Sequence, residues 1–265
     1  MGRPRHEPAF GAVEHRFGGG HKRVRAWDVV ADRVVGTDAP TFVLVHGLGL
    51  SSRLFRPTVD RLRHHGRVVV FDLPGFGGVP HPSDPMTIEE FARAIVPALE
   101  DLAVRRPVLV GHSMGAQVVV ELVRREPSLG GRLVLIAPVV CAHQRSLPQV
   151  LLGFVRSAAH ERFGAALASV RRYVAGGLRW PLEILPAMVT YPIEERIRGV
   201  GGRLVIVRGE HDRLCPAGWA DDLLARSGAD GGVIVAEGAA HQVVVDDADV
   251  VVAAAIAAAG RGPLP

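Results

Sequence analysis

Along the chain, apolar residues fall into two alternating kinds of segment. Short, almost unbroken runs rich in Val, Leu, Ile and Phe occur at Thr41–His46, Arg67–Asp72, Val108–Gly111 and Arg132–Ile136, and two more follow at Leu204–Val207 and Val233–Val235. Runs of that length without polar alternation are what strands buried on both faces of a sheet require. Between them, apolar residues recur every three or four positions, the period of an amphipathic helix, over Ser52–His64, Ile88–Leu102, Met114–Arg125, Trp219–Arg226 and Ala248–Ala259. Asp246, Asp247 and Asp249 stand at the start of the last of these, where the helix dipole favours negative charge. Strands alternating with helices predict an α/β fold, a mostly parallel doubly wound sheet of about eight strands covered on both faces.

Two regions depart from this alternation. Upstream, Val24–Val30 and Arg33–Val35 read as an antiparallel entry hairpin, and residues 1–23, with Gly18, Gly19 and Gly20 in a row, read as a flexible segment. Between Pro138 and Gly199 there is no strand-like run, only helix-like stretches around Pro148–Ala159, Glu161–Ala175 and Arg179–Val189. An insertion of that size between two strands of one sheet reads as a helical lid. The expected organisation is a core of residues 24–138 and 200–265, interrupted by a lid over 139–199. Loops over the carboxyl edge line the pocket in open α/β sheets, so the lid should set substrate choice. Its apolar residues include Phe154, Phe163, Trp180 and Met188.

Composition narrows the possibilities. Hydrophobic residues at 48% and charged residues at 22% are globular values and exclude a chain that is disordered throughout. The longest apolar run, Val250–Ala259, is about half of the roughly 20 residues that span a bilayer, so no membrane span is expected. The amino-terminal residues lack the apolar stretch of a signal peptide, from which a cytoplasmic location follows as an expectation. Cys141 and Cys215 are too few for a disulfide framework and lack metal-ligand spacing. The net charge of +4 includes no Lys/Arg block, and aromatics at 5% leave few stacking platforms, which argues against nucleic acid as a partner. The oligomeric state is not legible.

One motif carries chemistry. Gly111-His112-Ser113-Met114-Gly115 follows a predicted strand and opens a predicted helix, the context that makes G-x-S-x-G a nucleophile turn. Ser113 is placed at the carboxyl edge of the sheet, and the amide of Met114 at the helix start faces any oxyanion that forms there. A serine needs a base and a carboxylate to orient that base. His241 lies in the loop after the last predicted strand and Asp212 in the loop after the strand before it. Glu210 and His211 are their rivals, Cys215 invites a thiol mechanism without a base beside it, and His46 and Asp72 read as loop anchors. His112 should point away from the site if the turn is regular.

The order Ser113, Asp212, His241, together with His46-Gly47-Leu48-Gly49, the loop Asp72-Leu73-Pro74-Gly75-Phe76-Gly77 and the stretch Gly209–Pro216, resembles the α/β-hydrolase superfamily over residues 24 to 260. Ala116 departs from the second glycine common after the serine turn. The resemblance implies catalytic Ser113, Asp212 and His241 and an oxyanion hole from the backbone N–H groups of Leu48 and Met114. A serine rather than an aspartate at position 113 argues against haloalkane dehalogenases and epoxide hydrolases of this fold. The expectation is a serine hydrolase that cleaves an ester or related acyl bond of a small, largely apolar molecule, without cofactor or metal. Two alternatives stay open. One is a carbon-carbon bond hydrolase of ring-cleavage products, for which Arg156 and Arg171 are the only hint. The other is a hydrolase-fold ligand-binding protein with little turnover.

Overall fold

A computed structural model of the chain describes residues 10–18, 22–31, 39–158 and 179–263. Strands β1 (Val13–Phe17), β2 (Val24–Val29) and β3 (Thr41–Val45) lead through a 3-10 turn to α1 (Arg56–Leu62), then to β4 (Arg67–Asp72), α2 (Ile88–Asp101), β5 (Val108–His112), α3 (Met114–Arg125) and β6 (Arg132–Ile136). Helices α4 (Leu147–Ala158), α5 (Arg179–Thr190) and α6 (Ile193–Arg196) follow. The chain returns through β7 (Arg203–Gly209), α7 (Ala217–Ser227), β8 (Asp230–Ala236), α8 (Val243–Asp246) and α9 (Ala248–Ala258). The eight strands form one sheet in the order β1-β2-β4-β3-β5-β6-β7-β8. Pairing is antiparallel between β1 and β2 and between β2 and β4, and parallel elsewhere.

The unbroken apolar runs are explained by two cores, one on each face. Val43, Val69, Leu109, Leu133 and Leu204 face the core shared with α2, α3 and α7, whereas their neighbours Leu44, Val70, Val110, Val134 and Val205 face the core shared with α1 and α9. Every second side chain serves one face, so no polar position is tolerated between. Helix α2 buries Ile88, Phe91, Ala92, Ile95, Ala98 and Leu99 on one stripe, and it begins with a reciprocal cap in which Thr87 Oγ1 accepts from Glu90 N and Glu90 Oε2 from Thr87 N. Asp247 caps α9 by accepting from Val250 N at 3.1 Å.

The entry hairpin differs from expectation. The partner of β2 is β1, in the register Val13↔Asp28 to Phe17↔Val24, and β1 lies inside the segment read as flexible. Its sequence, Val-Glu-His-Arg-Phe, is short, mixed and at a sheet edge, where charged residues discourage pairing with another chain and leave no buried run to read. The proposed strand over Arg33–Val35 falls outside the described residues, as do the helix over Glu161–Ala175 and the side chains of Phe163, Arg171 and Tyr173 within it. Between β6 and β7 the described chain is helical, through α4, α5 and α6. Among the described residues, no helix is long and apolar enough to cross a membrane.

Candidate active site

Parallel pairing aligns the carboxyl ends of β3, β5, β6 and β7, with Gly111 in register with Val45 and Leu135 and Ile136 in register with Val207. Chemistry gathers at that edge. Ser113 sits between β5 and α3 with φ 56° and ψ −119°, a conformation that a residue with a side chain adopts only where its surroundings enforce it. The enforcement is visible: the Ser113 N–H donates to Ile136 O at 2.9 Å, and the start of α3 is pressed against β3 so closely that a Cβ on Gly115 would lie 2.2 Å from Val45 O. Only glycine permits that approach.

Asp212 follows β7. Its Oδ1 accepts from Leu214 N at 2.8 Å and Cys215 N at 3.3 Å, which aims Oδ2 at His241 Nδ1, 2.9 Å away. Burial pushes this carboxyl upward, but the imidazole of His241 and the hydrogen bonds outweigh it and hold Asp212 below the usual carboxylate range. His241 follows β8, and its Nε2 lies 3.0 Å from Ser113 Oγ. With Nδ1–H donating to the carboxylate, Nε2 is the acceptor and the serine hydroxyl the donor. Ser113, Asp212 and His241 are 3%, 2% and 2% exposed.

A second buried layer holds this edge. His46 donates from Nδ1 to Gly47 O at 2.8 Å and accepts from Leu73 N at Nε2, 3.1 Å away, so it joins the loop carrying Leu48 to the loop after β4. Burial pushes its imidazole below the usual range. Gly47 lies against Ser113, since a Cβ there would be 2.9 Å from Ser113 Cβ. Buried Asp72 accepts from Arg25 Nη2 at 2.8 Å, Trp27 Nε1 at 2.9 Å and Ser52 N at 2.7 Å, the arrangement of an anchor rather than of a proton acceptor. The rivals stand apart. Glu210 is exposed and accepts from Gly238 N, and His211 is half-exposed with its Nε2 3.9 Å from Glu210. Cys215 is fully buried and burial pushes its thiol well up, away from thiolate chemistry. Among the described residues, no group of three His, Cys, Asp or Glu side chains is placed to hold a metal ion.

Three contacts were not legible beforehand. His112 does not point away: its Nε2 lies 3.1 Å from the main-chain oxygen of His241 and its ring centroid 5.4 Å from that of His241. Gln117, on the buried face of α3, donates from Nε2 to Val139 O and Met188 O, each at 2.9 Å, and so joins the start of the insertion and α5 to the helix that begins after Ser113. A polar amide among the apolar residues of the helix, with Glu121 one turn on, was its only signal. Phe154 of α4 presents its ring to His241 edge-on at 5.4 Å. Elsewhere the insertion meets the body through Trp180, whose Nε1 donates to Pro74 O at 3.2 Å and whose ring stacks on His81, and through Ser157, which accepts from Arg213 N at 3.1 Å.

Known proteins resemble this chain in sequence and in fold. The sequence profile of the Alpha/beta hydrolase family matches residues 42–255. A biotin biosynthesis bifunctional protein of Cellvibrio japonicus is 36% identical over 128 residues, 48% of this chain and 20% of that protein. A pimeloyl-[acyl-carrier protein] methyl ester esterase of Aromatoleum aromaticum is 33% identical over 147 residues, 51% of this chain and 55% of that one. The chain thus spans little more than half the length of these relatives at most. Among solved structures, an esterase from Exiguobacterium antarcticum superposes with a TM-score of 0.74 at 16% identity, covering 90% of this chain and 96% of that one. A 2-hydroxy-6-oxo-6-phenylhexa-2,4-dienoate hydrolase from a Rhodococcus species gives 0.72 at 18%, covering 93% and 98%. At such identities the structural likeness is one of fold.

Proposed function

Since the chain belongs to the alpha/beta hydrolase family, we propose that it is a serine hydrolase cleaving a carboxylic ester, or a related acyl bond, of a small and largely apolar substrate. The observation that carries the reading is the buried relay from Ser113 Oγ to His241 Nε2, 3.0 Å, and from His241 Nδ1 to Asp212 Oδ2, 2.9 Å, at a strained turn. Ser113 Oγ attacks the carbonyl carbon while its proton passes to His241 Nε2. Asp212, charged and hydrogen-bonded, stabilises the imidazolium that results. The carbonyl oxygen becomes an oxyanion beside Met114, whose N–H opens α3 and has no intrahelical acceptor, and beside the Leu48 amide in the loop after β3. His241 returns the proton to the leaving alkoxide. Water then attacks the acyl-enzyme with His241 again as base, which releases the acid and restores Ser113.

The ester relatives favour an ester over a carbon-carbon bond. A dienoate substrate would need a cationic grip near Ser113, but Arg156 is exposed on α4 and Arg171 lies outside the described residues. The test is a series of p-nitrophenyl esters of rising chain length, run beside a ring-cleavage dienoate, with fluorophosphonate labelling and mass spectrometry. Ester turnover with the label on Ser113, and loss of both in Ser113→Ala, is the expected result. A Ser113→Ala enzyme that keeps its activity, a label on another serine, or turnover of the dienoate alone overturns the proposal.

A further inference from the structure

His112 links nucleophile and base through its own backbone and ring. Its own peptide bond leads to Ser113, and its ring reaches the main-chain oxygen of His241, a residue 129 positions away in sequence. Because that oxygen can only accept, Nε2 carries the proton, and the ring is the Nε2–H tautomer. Nδ1 is then an acceptor, and it is buried without a partner beside the backbone of Gly47, where a Cβ would come within 3.2 Å of it. An unpaired nitrogen in a fully buried ring costs stability. A phenylalanine or leucine at 112 would avoid that cost, and what it would lose is the one bond from Nε2.

From this geometry we infer that His112 is a positioning residue, whose Nε2–H holds the main-chain carbonyl of His241 and thereby sets where the His241 ring stands between Ser113 and Asp212. The inference rests on the reading of Ser113 and His241 as nucleophile and base. Ser113 is fixed from the other side by its N–H to Ile136 O, so β6 holds one end of the relay and His112 transmits that position to the other. The titratable groups around the ring are His241, Asp212 and His46; burial first, then His241 and His46, push His112 down to about 3, against the upward pull of its bond to the His241 carbonyl and of Asp212. The ring is therefore neutral across the working range. It adds no charge beside the imidazolium that forms on His241 during turnover.

The tests are His112→Phe, which keeps a ring but has no donor, His112→Gln, which restores a donor, and nitrogen-15 NMR of the wild-type imidazoles. His112→Phe should lower kcat about 10- to 100-fold, the scale of a misplaced catalytic group, with KM nearly unchanged. The acid limb of its kcat/KM profile should move to lower pH, because His241 meets Asp212 less well. His112→Gln should recover most of the loss, and the wild-type spectrum should show a neutral Nε2–H tautomer for His112 at pH 6. Equal losses in both variants with an unmoved pH profile, or a His112→Phe enzyme at the wild-type rate, overturn the inference. So does an Nδ1–H or charged ring in the wild-type spectrum, a reading that stands even if a variant fails to fold. Ser113→Ala in the same assay separates the two levels of argument: if it stays active, the nucleophile itself has been misassigned.

Discussion

The carboxyl edge of the sheet and the helices inserted between β6 and β7 are built on different terms. At the edge, each group that could react is buried and held by at least one hydrogen bond to a neighbouring strand or loop, as Ser113 is by Ile136 O and Asp212 by Leu214 N and Cys215 N. The insertion is uneven: α5 and α6 bury Ile184, Leu185, Met188 and Ile193 in the core shared with α2 and α3, whereas α4 leaves Leu147, Leu151, Leu152 and Val155 between 42% and 67% exposed. Rigid placement suits groups that must stay within tenths of an ångström of a reacting atom. The open side of α4 is under no such constraint.

The largest effects should come from the edge. Asp212→Asn and His241→Ala should each lower kcat by at least a thousandfold, one by losing the charge that stabilises imidazolium and the other by losing the base. Glu210→Gln and His211→Ala should stay within about tenfold of wild type. Steady-state kinetics of the four variants decides the matter, and an inverted ranking would move the reacting acid or base to the exposed neighbours.

Smaller and different effects should come from the insertion. Trp180 is 5% exposed and packs on the loop after β4, so Trp180→Ala should cost about 3 kcal/mol and lower Tm, while the preferred ester chain length stays where it was. Phe154 touches His241 instead, so Phe154→Ala should shift that preference toward longer acyl chains with little change in Tm. Calorimetry and kcat/KM across the ester series read both. If the two variants change the same property, the division between anchoring and lining residues within the insertion is wrong.

The finest test uses acid. His46 and His112 are held below the ordinary histidine range by burial, whereas an unfolded histidine titrates near about 6.5. Their neutral burial therefore contributes its full stability above that pH. As pH falls below it the unfolded chain takes up protons that the native edge refuses, and stability drops by up to about 1.4 kcal/mol per pH unit for each ring. Asp212, held low, adds a further loss at lower pH as its carboxylate protonates. Urea unfolding between pH 7 and 4 should show the slope, and His112→Gln should flatten it by one ring's share. A slope unchanged by that substitution would mean that the edge refuses no proton at position 112.

The parts of this architecture that the amino-acid sequence announces are those in which one local pattern has one structural solution. Val68–Phe71 can only be a strand covered on both faces, and the places of Ser113, Asp212 and His241 after β5, β7 and β8 bring the three side chains to one edge. β1 was hidden because an edge strand carrying Glu14, His15 and Arg16 has no buried run. The role of His112 was hidden for another reason: the rule for the serine turn says where a Cβ points and not how far an imidazole reaches. Phe154 and Trp180 look alike in sequence, as large apolar residues on helical stripes, and only their neighbours distinguish them.

The notch at Gly75 has a consequence for how such molecules can be recombined. With φ at 84° and no side chain, Gly75 leaves the space that the indole of Trp180 fills, and a Cβ there would sit 2.0 Å from its Nε1. The insertion and the loop after β4 are thus key and keyhole, although about a hundred residues of chain separate them. An insertion transplanted from another member of the family would meet a loop shaped for the Trp180 indole, unless its own loop travelled with it. Chimaeras cut at residues 139 and 199 alone should leave that slot vacant, whereas exchanging residues 74–81 as well carries the fit along. The inheritable module is larger than the stretch of sequence that looks inserted.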